Sequence, residues 1–455
     1  MDSWLPSLSV DGGPAYVQIV DALATDIERG ELPRGSRLPT QRALAHRMGV
    51  GIGTVTRAYA AAEGLGLIEA VVGRGSFVAG AARAPQVDQV IDLSRNVAPI
   101  EPAAAALRTG FAAVARRADL AARLDYPPDG GFEADRRAGA MWLSRVANLP
   151  DADPSRLIVT AGAQQAIAVA LAALCRPGEA LIVERATFHG VRGAAERAGL
   201  RLAPAMMDSE GLTPEALARA ARETGAKVAY VQPFQNPTAR VMGRARRREI
   251  VEAARLTGVT LIEDDLYGPH VADLGLPPLA ALASDQVAYV SGLTKCVAPG
   301  LRTGYLIAPE RVRAAALEAL RAVSFGPPTL GAALGTQWIE SGVGFEIFAA
   351  VRRELGRRTE MAVQMLAGLA EPVRQSVTTH LWLPMGELDA ERVAGQALRA
   401  QVRVTPPSAP FPEGVAVDGL RVCLGGAADL EALRRGLEVL RSALQPGRAL
   451  AENVV

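Results

Sequence analysis

Lysine is almost missing from this 455-residue chain. Of its 49 basic residues two are lysines, Lys227 and Lys295, and all the others are arginine. Arginine-favouring base composition is the ordinary source of such a bias. Chemically, though, a guanidinium stays protonated and cannot replace a neutral amine in a Schiff base, so a lysine that persists here invites inspection. Cysteine is nearly as scarce. Cys175, Cys296 and Cys423 lie far apart without CxxC spacing, which excludes a disulfide scaffold or thiolate zinc site and points to a reducing, cytoplasmic location. The four histidines (46, 189, 270, 380) show no ligand spacing, so no metal site is expected. No charge-free run of about 18 apolar residues occurs, and the first residues lack a basic and an apolar region, so neither a membrane span nor a signal peptide is expected. A net charge of +1 argues against a general polyanion binder but leaves room for a local basic patch.

What is present divides into two parts. In residues 14–30, Tyr16, Ile19, Val20, Leu23 and Ile27 recur at helical spacing, with Gly30 as a stop. Thr40 is placed to cap a short helix through Met48, and a second helix is expected from about Gly53 to Gly64. LIEAVVGRGSFV alternates around a glycine turn, as a hairpin does. Helix, helix, turn, helix and hairpin in under 80 residues describe a winged helix-turn-helix. Between residues 34 and 75 six arginines (34, 37, 42, 47, 57, 74) face Glu63 and Glu69 alone. That concentrates positive charge on the reading helix and wing, as phosphate contact requires. Thr54, Thr56 and Arg57 stand near the start of the reading helix. The plain alternative is an amphipathic three-helix domain with solvated arginines.

GAARAPQ (80–86) reads as a linker. Beyond it, RLIVT (156–160), ALIVE (180–184), KVAYVQ (227–232), TLIED (260–264), VAYVS (287–291) and TGYLIA (303–308) alternate with helical stretches, the pattern of an α/β domain with a largely parallel sheet. Short strands near 378–383 and 420–424 suggest a smaller α+β lobe from about 331 to 455. The expected division is 1–80, a linker over 81–93, and a domain over 94–455. Lys295 follows a strand, where a buried amine loses charge preference and attacks aldehydes. Arg302, seven residues on, suits a phosphate. The backbone N–H groups of Gly162 and Ala163 open a helix and form a second phosphate cradle. Asp264 ends a strand and is placed to hold a pyridine nitrogen protonated.

Two resemblances sharpen this reading. Residues 14–78 resemble the GntR-family DNA-binding domain, in G-x-L-P-x-G-x-R-L-P-T-x-R-x-L-A, G-T-V-x-R-A-Y and G-R-G-S-F-V. The resemblance implies Arg42 at base or phosphate, Thr54 and Arg57 in the groove, and Gly75 in the wing, with Arg37, Thr56 and Arg74 on the same charged face. Where relatives often carry Ser-Arg, this chain has Gly51-Ile52. Residues 92–445 resemble the fold-type-I pyridoxal-phosphate enzymes of the aspartate aminotransferase superfamily, in TAGAQQA (160–166), ATFHG (186–190), QPFQNPT (232–238), EDDLY (263–267), SGLTKCVAPGLRTGY (291–305) and GLRVCLG (419–425). That resemblance implies Lys295 as the Schiff-base lysine and Asp264 at the ring nitrogen. Asn236 and Tyr267 are implied at the 3-hydroxyl oxygen, and Phe188 on the ring face. Gly162, Ala163, Thr294 and Arg302 are implied at the phosphate, with Tyr126 reaching it across a subunit interface. Arg421 is implied as clamp for an α-carboxylate. Two departures are Gly292, where Ser or Thr often binds phosphate, and Ala239, where glycine is common.

The fused pair resembles the MocR subfamily of bacterial transcription regulators. It implies a head-to-tail homodimer on promoter DNA, responding to pyridoxal phosphate with or without an amino compound. A working aminotransferase with a vestigial reader stays open as the alternative.

Overall fold

The computed structural model describes residues 4–9, 13–71, 74–79, 90–369, 372–375 and 377–445. The chain divides into two units, Met1–Gln89 and Val90–Val455. Of the expected 81–93 linker, residues 81–89 lie outside the described residues, as does Gly73 of the expected wing turn.

In the first unit α1 (Ala15–Glu28) buries Ile19, Val20 and Leu23. Thr40 caps α2 (Gln41–Met48) by accepting the Ala43 N–H at 3.2 Å, and Gly49 ends it at φ 65°, a conformation that only glycine adopts at no cost. α3 (Ile52–Gly64) buries Val55, Ala58, Tyr59 and Ala62, and the Tyr59 hydroxyl donates to Pro39 O at 2.8 Å. β1 (Ile68–Val71) and β2 (Gly75–Val78) pair antiparallel. Ile68 and Val78 face the helices and are buried, which fixes the hairpin register through the alternation of its faces.

The second unit begins with β3 (Ile91–Leu93), then α4 (Glu101–Ala115) and α5 (Glu133–Val146). β4 (Leu157–Thr160) leads into α6 (Ala163–Leu174), followed by β5 (Ala180–Glu184), β6 (Arg201–Ala205), the two-residue strands β7 (Met207–Asp208) and β8 (Gly211–Leu212), and β9 (Val228–Val231). β10 (Thr260–Asp264), β11 (Val287–Gly292) and β12 (Gly304–Ile307) complete a seven-stranded sheet ordered β4-β12-β11-β10-β9-β5-β6. β12 runs antiparallel to both its neighbours, β4 and β11, and the other pairs of the sheet are parallel. The inner strands are continuous apolar runs because helices cover both faces. β6 departs from the expected strands. RLAPA carries an arginine and a proline, yet an edge position tolerates Pro204 because its missing N–H has no ladder partner to lose.

A smaller lobe holds β13 (His380–Pro384), β14 (Val402–Val404) and β15 (Gly419–Cys423). β13 and β15 pair antiparallel, with Trp382 opposite Arg421. β3 pairs parallel with β14, Ile91 opposite Val402. This corrects the expected linker, since 91–93 is a strand of the smaller lobe and Leu93 is buried in its core. Three residues are too few for a periodic signal. Among the described residues no helix is long and apolar enough to cross a membrane.

Candidate functional site

In a parallel sheet, ligands gather beyond the carboxyl ends of the strands. Asp264 closes β10 there and Lys295 follows β11. Lys295 is half-buried because it opens onto a cavity, and enough protein surrounds the amine to desolvate it. That burial, then the Arg421 cation, pushes its pKa down to about 8. Its Nζ donates to Asn96 O and lies 5.7 Å from the centre of the Tyr267 ring. His270 Nε2 donates to Lys295 O at 3.0 Å, pinning the main chain beneath the amine.

Asp264 is held from behind. The Tyr230 hydroxyl donates to its Oδ2 at 2.5 Å and Gln232 Nε2 does so at 3.3 Å. Burial raises the Asp264 pKa, while the Tyr230 hydrogen bond and the Lys295 charge act against that rise. These donors favour the anionic form of a carboxylate that burial disfavours. Neighbouring Asp265 has another duty, accepting from the Tyr289 hydroxyl at 2.8 Å.

A cavity of about 140 Å³ is lined by Ala163, Phe188, Asn236, Asp264, Tyr267, Thr294, Lys295 and Arg302, among others. Its oxyanion end is well supplied with donors. Gly162 (φ 78°) turns the chain into α6, so the first helical N–H groups are unpaired by the helix itself. A Cβ on Gly162 would lie 2.9 Å from Arg302 Nη2, so only glycine leaves the guanidinium its place. Arg302 itself donates to Ala161 O at 2.8 Å. Thr294 Oγ1 is buried with no hydrogen-bond partner among the described residues, which a bound oxyanion would supply. The departure at Gly292 has a steric cause. A Cβ there would stand 2.7 Å from Thr303 O and 2.9 Å from Gly304 Cα, across the β11–β12 pair.

A second cavity, about 530 Å³, shares Phe188, Asn236, Tyr267 and Lys295 with the first and adds Ser94, Arg95, Asn96, His189, Thr405 and Arg421. Arg421 is buried and oriented by three oxygens. Nε donates to Thr405 Oγ1 at 3.0 Å, Nη1 to Asn236 Oδ1 at 2.7 Å and Nη2 to Ser94 O at 3.3 Å. Among the described residues no carboxylate forms an ion pair with it. A buried cation without a counter-ion favours an anionic ligand. Partial burial, Arg421 and Lys295 hold the His189 pKa below its usual value, so this imidazole at the rim is neutral at pH 7.

Most residues singled out from sequence therefore line one pair of cavities, with Gly162 at their edge. Tyr126 does not; it is 76% exposed and packs on Phe325, ring centres 5.3 Å apart. Sequence reasoning missed Tyr230, Gln232, Ser94, Asn96 and Thr405. The available signal for Tyr230 was its place in KVAYVQ, one strand away from Asp264.

On the first unit, Arg37, Arg42, Thr56, Arg57, Arg74 and Gly75 are exposed and Thr54 is half-buried. Thr56 donates to Gln41 Oε1 at 2.8 Å. The Arg57 guanidinium lies 3.9 Å above the Tyr16 ring centre and donates to its hydroxyl at 3.3 Å, so α1 presents this arginine. Arg74 flanks the Phe77 ring at 5.9 Å. Gly75 (φ 105°) brings the hairpin against Arg37, whose Nε would lie 3.4 Å from an added Cβ.

Comparison with known proteins agrees with both halves. Residues 15–78 match the family of bacterial regulatory proteins termed gntR, and residues 88–440 match aminotransferase class I and II. The uncharacterized HTH-type transcriptional regulator YdeF of Bacillus subtilis is 27% identical over 97% of this chain and 97% of its own length. Its counterpart YdcR of Escherichia coli is 26% identical over 86% of this chain and 91% of its own. Among solved structures, an archaeal alanine:glyoxylate aminotransferase superposes with a TM-score of 0.71 at 20% identity, covering 78% of this chain and 90% of that one.

Proposed function

The chain belongs to the aminotransferase class I and II family and carries a gntR-family domain ahead of it; from that premise we propose a pyridoxal-phosphate-dependent transcription regulator of the MocR type. The first unit binds double-stranded DNA, and the second takes pyridoxal phosphate. Likeness to a regulator over nearly the whole of both chains favours this over a working aminotransferase with an idle reader.

The residues present fit the cofactor, and Thr294 Oγ1, unpartnered among the described residues, supports this most directly. Pyridoxal phosphate supplies an aldehyde open to amines and a ring that withdraws electrons when its nitrogen is protonated. Lys295 offers an amine with a lowered pKa. The Asp264 carboxylate, held by Tyr230 and Gln232, keeps a proton at the ring nitrogen. Thr294, Arg302 and the N–H groups after Gly162 bind the phosphate, Phe188 covers the ring, and Asn236 and Tyr267 meet its 3-oxygen.

The effector is an amino compound with a carboxylate. The observation that carries this is Arg421, buried in the Lys295 cavity with no acidic partner among the described residues. The protein acts as a cytoplasmic homodimer in which Tyr126 completes the other subunit's phosphate site. The DNA face consists of Arg37, Arg42, Thr54, Thr56, Arg57, Arg74 and Gly75. Fluorescence anisotropy on the chain's own upstream DNA, cofactor-free and loaded, at fixed salt with competitor, tests the scheme. Specific binding that shifts with cofactor, and again with an amino acid, is expected. Binding no better than to random DNA in any state refutes it.

A further inference from the structure

The first turn of α3 carries a side chain that the packing of its own unit leaves unused. Ile52 opens the helix and is 47% exposed, whereas Val55, Ala58, Tyr59 and Ala62 are buried. Gly51 and Gly53 flank it, and a Cβ on Gly53 would meet nothing within 4 Å. A helical Cα–Cβ bond leans toward the N-terminus, so Ile52 projects ahead of the helix with no side chain on either neighbour. In a helix-turn-helix this end of the second helix enters the major groove.

The base edges there are polar at every pair, with one apolar group, the C5-methyl of thymine. An isoleucine against the other edges would strip water from donors and acceptors without replacing it. Of the polar side chains on the same helix, Thr56 already donates to Gln41 and Arg57 to Tyr16. We propose that Ile52 is a specificity-determining residue that packs on a thymine methyl, so that each half-site carries a thymine at one fixed position. The inference rests on the first unit reading DNA, and adds what it reads.

The test begins by selecting binders from a randomised duplex library with the full-length, cofactor-loaded protein. Each thymine of the selected site is then replaced in turn by deoxyuridine, which differs only in lacking the methyl. At one position per half-site the loss should weaken binding by about fourfold, the value of one buried methyl group. Ile52→Ala, an exposed change, should keep its melting temperature and bind thymine and uracil equally at that position. If no position feels the loss of the methyl, or if Ile52→Ala keeps the preference, the proposal is wrong. Failure to enrich any sequence would overturn the DNA-reading premise and the proposal with it.

Discussion

If Lys295 is the Schiff-base lysine, as proposed, it sets the pH at which the second unit captures pyridoxal phosphate. Attack on the aldehyde needs the lone pair of a neutral amine. With a pKa near 8 instead of the usual 10.5, about one amine in ten is neutral at pH 7, against roughly one in three thousand without the shift, a gain of about 300-fold. Burial is the larger cause and the Arg421 cation the second. Arg421→Gln removes the cation but keeps an amide at the depth of Nε, which bonds Thr405, so the Lys295 pKa rises and capture at pH 7 slows. Stopped-flow mixing of cofactor-free protein with pyridoxal phosphate from pH 6.5 to 10, read by absorbance, gives the rate profile. A small primary amine run in parallel corrects for ionisation of the aldehyde itself. Wild-type rates should rise with pH and level off above about 8, and the variant's should level off higher. A wild-type midpoint near 10, or one that Arg421→Gln fails to move, refutes the reasoning.

Two further substitutions probe what the sequence left unseen. Tyr230→Phe removes the 2.5 Å donor to Asp264. A hydrogen bond to a charged group contributes about 1.5–3 kcal/mol, so equilibrium titration should show cofactor affinity lowered by roughly 10- to 100-fold; a change within twofold would mean that Tyr230 does not support the carboxylate. Gly292→Ser introduces the hydroxyl that the family resemblance leads one to expect, but its Cβ meets backbone at 2.7 Å, at Thr303 O just before β12. It should lower stability by about 1–3 kcal/mol, as overpacking does, without tightening cofactor binding; tighter binding at an unchanged melting temperature would show that the site has room.

The elements that were legible are those whose signal is local. A capping threonine, a glycine after a helix and a five-residue apolar run each declare themselves within a few positions, and the strands of TLIED and VAYVS stand where their patterns put them. The motif residues, brought together by a resemblance rather than by spacing, mostly line the two cavities. What stayed hidden depends on partners distant in sequence. β3 is three residues long and exists because β14, more than 300 positions later, pairs with it. Tyr230 reads as an ordinary strand aromatic until β9 is laid beside β10 and its hydroxyl reaches Asp264. Asn96 enters the site through a carbonyl, a group that every residue has, so no residue type marks it. Arg57 reads as a groove contact, and only the packing of α1 on α3 reveals that Tyr16 presents it.

The cavities also bear on how the proposed ligands are sensed within the second unit. A ligand shifts an equilibrium only through contacts that differ between its states. The Lys295 amine donates to Asn96 O, and covalent use of that amine ends the bond. Arg421 donates to Ser94 O, and a carboxylate drawn to the guanidinium competes for the same donors. Both changes therefore fall on one short stretch of main chain after β3, with Ser94 and Asn96 five and seven residues past Gln89, the last residue of the first unit. On the proposed reading the cofactor acts through Asn96 O and the amino compound through Ser94 O, two carbonyls only two residues apart. That proximity makes a regulator that responds to the pair a more natural use of this geometry than one that responds to either alone.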